Sequence, residues 1–171
     1  ERLAPGRPSV RFHTRSGVLE VGREGDRLVM DFPSWPVTPA PADARVAAAL
    51  GHNPTALFRC ERDYLAVFAD EAAIRALVPD QGQLRALDRL GMIVTAPGSD
   101  VDFVSRYFAP RMGVAEDPVT GSAHCALAPY WADRLKKGTL TARQVSGRGG
   151  ELTCALRGDR VVLKGRAAFY L

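Results

Sequence analysis

Cysteine and lysine are equally scarce, and no apolar run approaches the length of a membrane span. The three cysteines, Cys60, Cys125 and Cys154, are odd in number, far apart and without a C-x-x-C pair. That excludes a disulfide framework and leaves no zinc spacing, so no metal is expected, and free thiols point to a reducing cytoplasm as the setting. Uninterrupted apolar stretches fall far short of the roughly 20 residues a span requires, and residues 1–6 offer no secretory apolar region, so neither membrane insertion nor export is expected. Lysine occurs only at 136, 137 and 164, and the formal charge of +4 rests on arginines interspersed with acids. Without a basic stripe, nucleic acid is not an expected partner. The first residue is Glu rather than Met, which reads as a chain cut from something longer.

What is present is ordinary globular material. Apolar residues make up 46% and charged residues 25% of 171, enough to bury roughly 70% of the unfolded surface in a real core. Strands are expected over 9–15, 18–23 and 27–32, joined by turns short enough for antiparallel hairpins. Four prolines within 33–41 predict an irregular crossover. A short helix over 43–50 ends at Gly51, a hairpin spans 56–62 and 64–68, and helices follow over 71–78 and 83–90. Strands are then predicted over 92–96 and 101–108, and the aperiodic stretch 109–121 reads as a functional loop. Residues 122–137 carry the longest helical pattern, with Gly138 expected to end it and Pro129 expected to bend it. Four strands, 142–146, 151–156, 160–164 and 167–171, close the chain. The sum, about eleven strands and four helices without βαβ alternation of the dinucleotide-binding kind, is an α+β fold, mostly antiparallel, wrapped around one long apolar helix. Gly147-Arg148-Gly149-Gly150 lies between strands and is not expected to bind phosphate.

One segment gathers polar groups where a loop becomes an apolar helix: Glu116-Asp117-Pro118-Val119-Thr120-Gly121-Ser122-Ala123-His124. Unpaired amides at a helix start attract an anion, and a glycine there allows close approach, so a substrate carboxylate has a place to dock. Thr120 or Ser122 can cap the helix, and Asp117 is placed to accept or hold a substrate proton. Capping alone explains the same residues. His124 reads equally as a structural histidine or a base, and Cys125 reads as an inert buried thiol rather than a nucleophile. Arg106 shares a strand face with Phe108, and if that face meets Asp117 it steadies the carboxylate or the substrate.

Arg106-Tyr107-Phe108-Ala109-Pro110, then Gly113, then the run from Glu116 to Leu127, resemble the signature of the PhzF-like phenazine-biosynthesis isomerases. Supporting features run nearly end to end, from Phe12-His13-Thr14-Arg15-Ser16-Gly17 and Met30-Asp31-Phe32-Pro33 to Val145-Ser146-Gly147-Arg148-Gly149-Gly150. The resemblance implies a diaminopimelate epimerase-like fold of two similar halves, each wrapping strands around a helix, with the site between them. It implies a cofactor-independent isomerase that moves a proton in a small carboxylate-bearing molecule, with Asp117, Gly121 and Ser122 holding substrate and a glutamate general acid/base in the first half. It also implies that residues 1–171 are the second, C-terminal domain and that the first domain is absent. The isolated chain is then expected to be inactive, and strand 167–171 to pair with the missing half. A homodimer is expected from relatives alone. Two alternatives stand beside this: a cofactor-independent racemase or epimerase, and a non-catalytic binding or interaction module. Epimerases of the fold use a thiol where Thr120 stands, and a hydroxyl is a poor substitute for a thiolate.

Overall fold

Short polar turns between β-favouring runs build the first part of the molecule. The computed structural model describes residues 9–14 and 17–167. Strands β1 (Ser9–Thr14), β2 (Gly17–Glu24) and β3 (Arg27–Pro33) form an antiparallel meander. The proline-rich stretch is not wholly irregular, because it contributes a short strand, β4 (Thr38–Ala40), at the end of the sheet. An edge strand tolerates Pro39, whose missing amide costs no ladder bond on the open side.

Helix α1 (Ala44–Leu50) starts on Asp43, whose carboxylate accepts from the Arg45 amide, and stops at Gly51 with φ 73°. Strands β5 (Ala56–Arg59) and β6 (Asp63–Val67) form the expected hairpin. Helices α2 (Glu71–Ala76) and α3 (Gln81–Ala86) are capped by Asp70 and Asp80. The second helix lies earlier than 83–90 because Asp80 accepts from the Gly82 and Gln83 amides. Then come β7 (Gly91–Pro97) and β8 (Phe103–Ala109). The stretch expected as a loop, 109–121, contains a single 3-10 turn, Pro110–Met112, and strand β9 (Val114–Asp117), which lies antiparallel on β8. Helix α4 (Gly121–Leu135) follows, and β10 (Thr139–Gln144), β11 (Gly150–Arg157) and β12 (Arg160–Gly165) complete the described chain. The strand expected over 167–171 lies, beyond Ala167, outside the described residues.

Among the described residues all twelve strands join one mixed sheet, in the order β1-β2-β3-β12-β11-β10-β8-β7-β6-β5-β4, with β9 branching from β8. Two pairings, β6 with β7 and β8 with β10, are parallel. Parallel neighbours need a crossover, which α2 and α3 supply for one pair and α4 for the other. Two strand-helix-strand crossovers thus sit within a mostly antiparallel sheet.

Alternation through β6, β7 and β8 splits the interior in two. Leu65, Ile93, Phe103 and Tyr107 face a cluster that includes Ala123, Ala126, Leu127 and Trp131 of α4. Tyr64, Met92, Val94, Val104 and Phe108 face the opposite cluster, built with α1, α2 and α3. A strand buried on both faces loses its polar alternation, as β6 shows.

Within α4, Pro129 cannot donate the bond that the Cys125 carbonyl would normally accept. The backbone amide of Trp35 donates to that carbonyl instead, at 2.9 Å, removing a penalty of about 1–3 kcal/mol for an unpaired buried carbonyl. The helix ends on Lys136 in the left-handed region, φ 54°, with its amide donating to the Ala132 carbonyl. Gly138, expected at that position, lies two residues beyond it.

Candidate functional site

Strand β9 delivers Asp117 to the mouth of α4. Its register pairs Asp117 with Tyr107, with an irregularity before Ala109 and Val114. The chain then turns through Pro118 and Val119 to Thr120, the N-cap residue, which makes no side-chain cap bond. Thr120 donates its hydroxyl proton to Asp117 Oδ2 at 2.5 Å instead. Among the described residues no acceptor meets the amides of Gly121, Ser122 and Ala123. These groups and the helix dipole leave a partial positive charge at the turn.

The turn is braced from behind. Gln144, fully buried at the end of β10, donates from Nε2 to the Asp117 carbonyl at 2.6 Å and accepts the Thr120 amide on Oε1 at 2.8 Å. Ser146 donates to the Pro118 carbonyl at 2.7 Å and accepts the Gly149 amide at 3.0 Å. A Cβ on Gly150 would sit 2.6 Å from Cγ2 of Val119. The glycine-rich segment thus packs against the turn. At Gly121 a Cβ would meet Leu163 and Phe32 only at 3.8 and 3.9 Å, ordinary contact distances, so the protein's own packing does not demand glycine there. A cleft of about 560 Å³ opens here, lined in part by Val119, Gly121, Arg148, Gly150, Lys164 and Arg166. Lys164 pairs with Glu24 and Arg166 with Asp26. Arg148 has no ion pair among the described residues.

The predicted site residues divide. Asp117, Thr120, Gly121 and Ser122 come together at the start of α4. Arg106 does not join them. It lies on the other face of β8, where Nε and Nη2 hold Glu116 at 2.8 and 2.9 Å and Nη1 donates to the carbonyls of Ile74 and Leu77 at 3.0 and 2.8 Å. The strand alternation that pairs Arg106 with Phe108 directs it toward α2, away from Asp117. The arginine that does reach the helix start is Arg62, between β5 and β6. Its Nη2 lies 3.5 Å from Ser122 Oγ, and its guanidinium covers the Trp35 ring at 5.1 Å. Beside it Asp63 is buried, accepts from the Tyr107 hydroxyl at 3.2 Å, and has its carboxyl pushed above the usual range by burial.

His124 is fully buried, with Nδ1 against the Thr120 carbonyl at 2.7 Å. A carbonyl can only accept, so Nδ1 carries the proton. Burial pushes the imidazole down to about 4, keeping it neutral. Cys125 donates its thiol to the Gly121 carbonyl at 3.7 Å, and burial pushes it up to about 12, so it supplies no thiolate at neutral pH. No three His, Cys, Asp or Glu side chains converge as a metal site among the described residues. No helix among them is long and apolar enough to cross a membrane.

A family model described as phenazine biosynthesis-like protein, PhzC-PhzF, matches residues 1–171. The chain belongs to this family. It is similar to an uncharacterized isomerase of Pseudomonas aeruginosa, 49% identical over 170 residues, covering 99% of this chain and 65% of that protein. A phenazine biosynthesis-like domain-containing protein of Mus musculus is 37% identical over 180 residues, covering 94% of this chain and 62% of that one. The crystal structure of a PhzF family protein from Enterococcus faecalis superposes with a TM-score of 0.94 at 40% identity, over 99% of this chain and 65% of that one. A predicted epimerase of P. aeruginosa shares the fold at a TM-score of 0.65 and 17% identity, over 96% of this chain and 66% of that chain. This PhzC-PhzF chain therefore spans 60–65% of the length of the first curated relatives it matches.

Proposed function

We propose that this PhzC-PhzF chain supplies one part of the active site of a cofactor-independent isomerase. In that reading the enzyme moves a proton within a small carboxylate-bearing molecule by general acid/base catalysis. The observation that carries it is the uncapped first turn of α4, with the Asp117 carboxylate held at its mouth by Thr120. The Gly121 and Ser122 amides bind the substrate carboxylate, and Gly121 leaves its approach clear. Asp117 holds or moves the substrate proton. Arg62, beside Ser122, adds positive charge near the bound anion. A proton moved between carbons needs a second acid/base group. This reading takes it from a preceding domain, with residues 1–171 as the second domain and the isolated chain inactive. The names of the bacterial relatives support isomerase as the general class. A two-thiol epimerase finds a hydroxyl at Thr120 and a buried, protonated thiol at Cys125.

The test uses the complete protein in D₂O with a panel of amino and cyclic carboxylic acids. Deuterium is expected to enter one of them at carbon. Asp117→Asn is expected to slow that exchange by about 10²-fold or more while leaving the thermal midpoint within the wild-type range. Exchange that persists in Asp117→Asn removes Asp117 from the chemistry.

A further inference from the structure

We infer that Gln144 is the positioning residue that keeps the first turn of α4 open, by holding the Thr120 hydroxyl on Asp117 and away from the amides it would otherwise cap. This rests on the proposed reading of that turn as a carboxylate site.

A threonine at an N-cap normally turns its oxygen toward the second or third amide of the helix. Thr120 has the extended backbone of an N-cap, φ −111° and ψ 103°, yet makes no such bond. Its oxygen accepts from Gln144 Nε2 at 3.2 Å while its proton goes to Asp117. The same Nε2 reaches the Asp117 carbonyl, and Oε1 takes the Thr120 amide. The orientation of the side-chain amide follows from these partners, since a flipped group would set two donors against each other and two acceptors against each other.

Along β10, Leu140, Ala142 and Gln144 form one buried row. A polar side chain in a core row is costly unless it is satisfied. Here both ends of the amide are satisfied by the turn before α4, and by no other described residue. With Gln144 removed, Thr120 is free to rotate onto the Ser122 or Ala123 amide and close the anion site.

The experiment follows the backbone amides of Gly121 and Ser122 by ¹⁵N NMR during titration with benzoate. Wild-type protein is expected to show saturable shifts at both. Gln144→Met is expected to weaken benzoate by about tenfold or more. Adding Thr120→Val, which cannot cap, is expected to restore most of the lost affinity. Equal binding in Gln144→Met overturns the role of Gln144 and leaves the anion site standing. Loss without rescue also overturns it, because the defect is then general loosening of the turn. Absence of shifts in the wild type overturns the carboxylate reading and this inference together. Should Gln144→Met fail to fold, Gln144→Glu keeps the shape and the acceptor but loses the donors as its carboxylate, and the same loss and rescue are expected.

Discussion

Protonating His124 in the folded protein sets up a measurable conflict. The ring is fully buried, and burial pushes it from 6.5 down to about 4. A folded value below the unfolded one means that the unfolded chain takes up the proton first. Stability is then intact above 6.5 and is lost as pH falls through that value toward 4. With those two values, linkage gives a loss of about 2 kcal/mol by pH 5 and about 3 kcal/mol by pH 4. Other groups titrate in the same range, so the quantity to measure is a difference. His124→Asn keeps a side-chain N–H for the Thr120 carbonyl and removes the titration. Urea unfolding of both proteins at pH 7, 5 and 4 is expected to show wild type losing the larger amount, by about those margins. Parallel pH dependence in the two proteins would falsify the picture of a neutral, sealed imidazole and reopen His124 as a proton carrier.

Gly121→Ala separates packing from function. The added methyl meets only ordinary contacts, so thermal stability is expected to hold or rise by up to about 1 kcal/mol. Benzoate-induced shifts at Ser122 are expected to weaken by about tenfold, and undiminished binding would show that the glycine approach is unused. Arg106→Ala leaves Glu116 and the Ile74 and Leu77 carbonyls without their shared donor. Urea unfolding is expected to show a loss of about 3 kcal/mol, and a change below the error of the measurement would place Arg106 outside the structural network.

Local rules carried most of the elements. Asp43, Asp70 and Asp80 begin helices for the reason acids favour N-caps, and Gly51 ends one for the reason glycine tolerates positive φ. The segment 116–122 was legible because hydroxyls, an acid and a glycine precede an apolar run. Properties that depend on distant partners were not. Periodicity places β6, β7, β8 and β10 but says nothing of their parallel pairing. Strand β9 exists because β8 offers it an edge, and β4 because β5 does. Arg106 and Arg62 look alike in the chain, and only the sheet decides which one reaches Ser122. Gln144 left a faint signal, a polar side chain continuing the Leu140 and Ala142 row.

Strand β3 finds a partner on one side in β2, its neighbour in the chain, and on the other in β12. Arg160 meets Asp31 across a separation of 129 residues. As the chain emerges during synthesis, β3 must therefore wait with one flank unzipped until the residues between it and β12 have been made. So long a wait slows folding and leaves a strand edge open to the wrong neighbour. Arg27 at the start of β3 and Asp31 within it put charge on that waiting edge, where it discourages pairing between nascent chains.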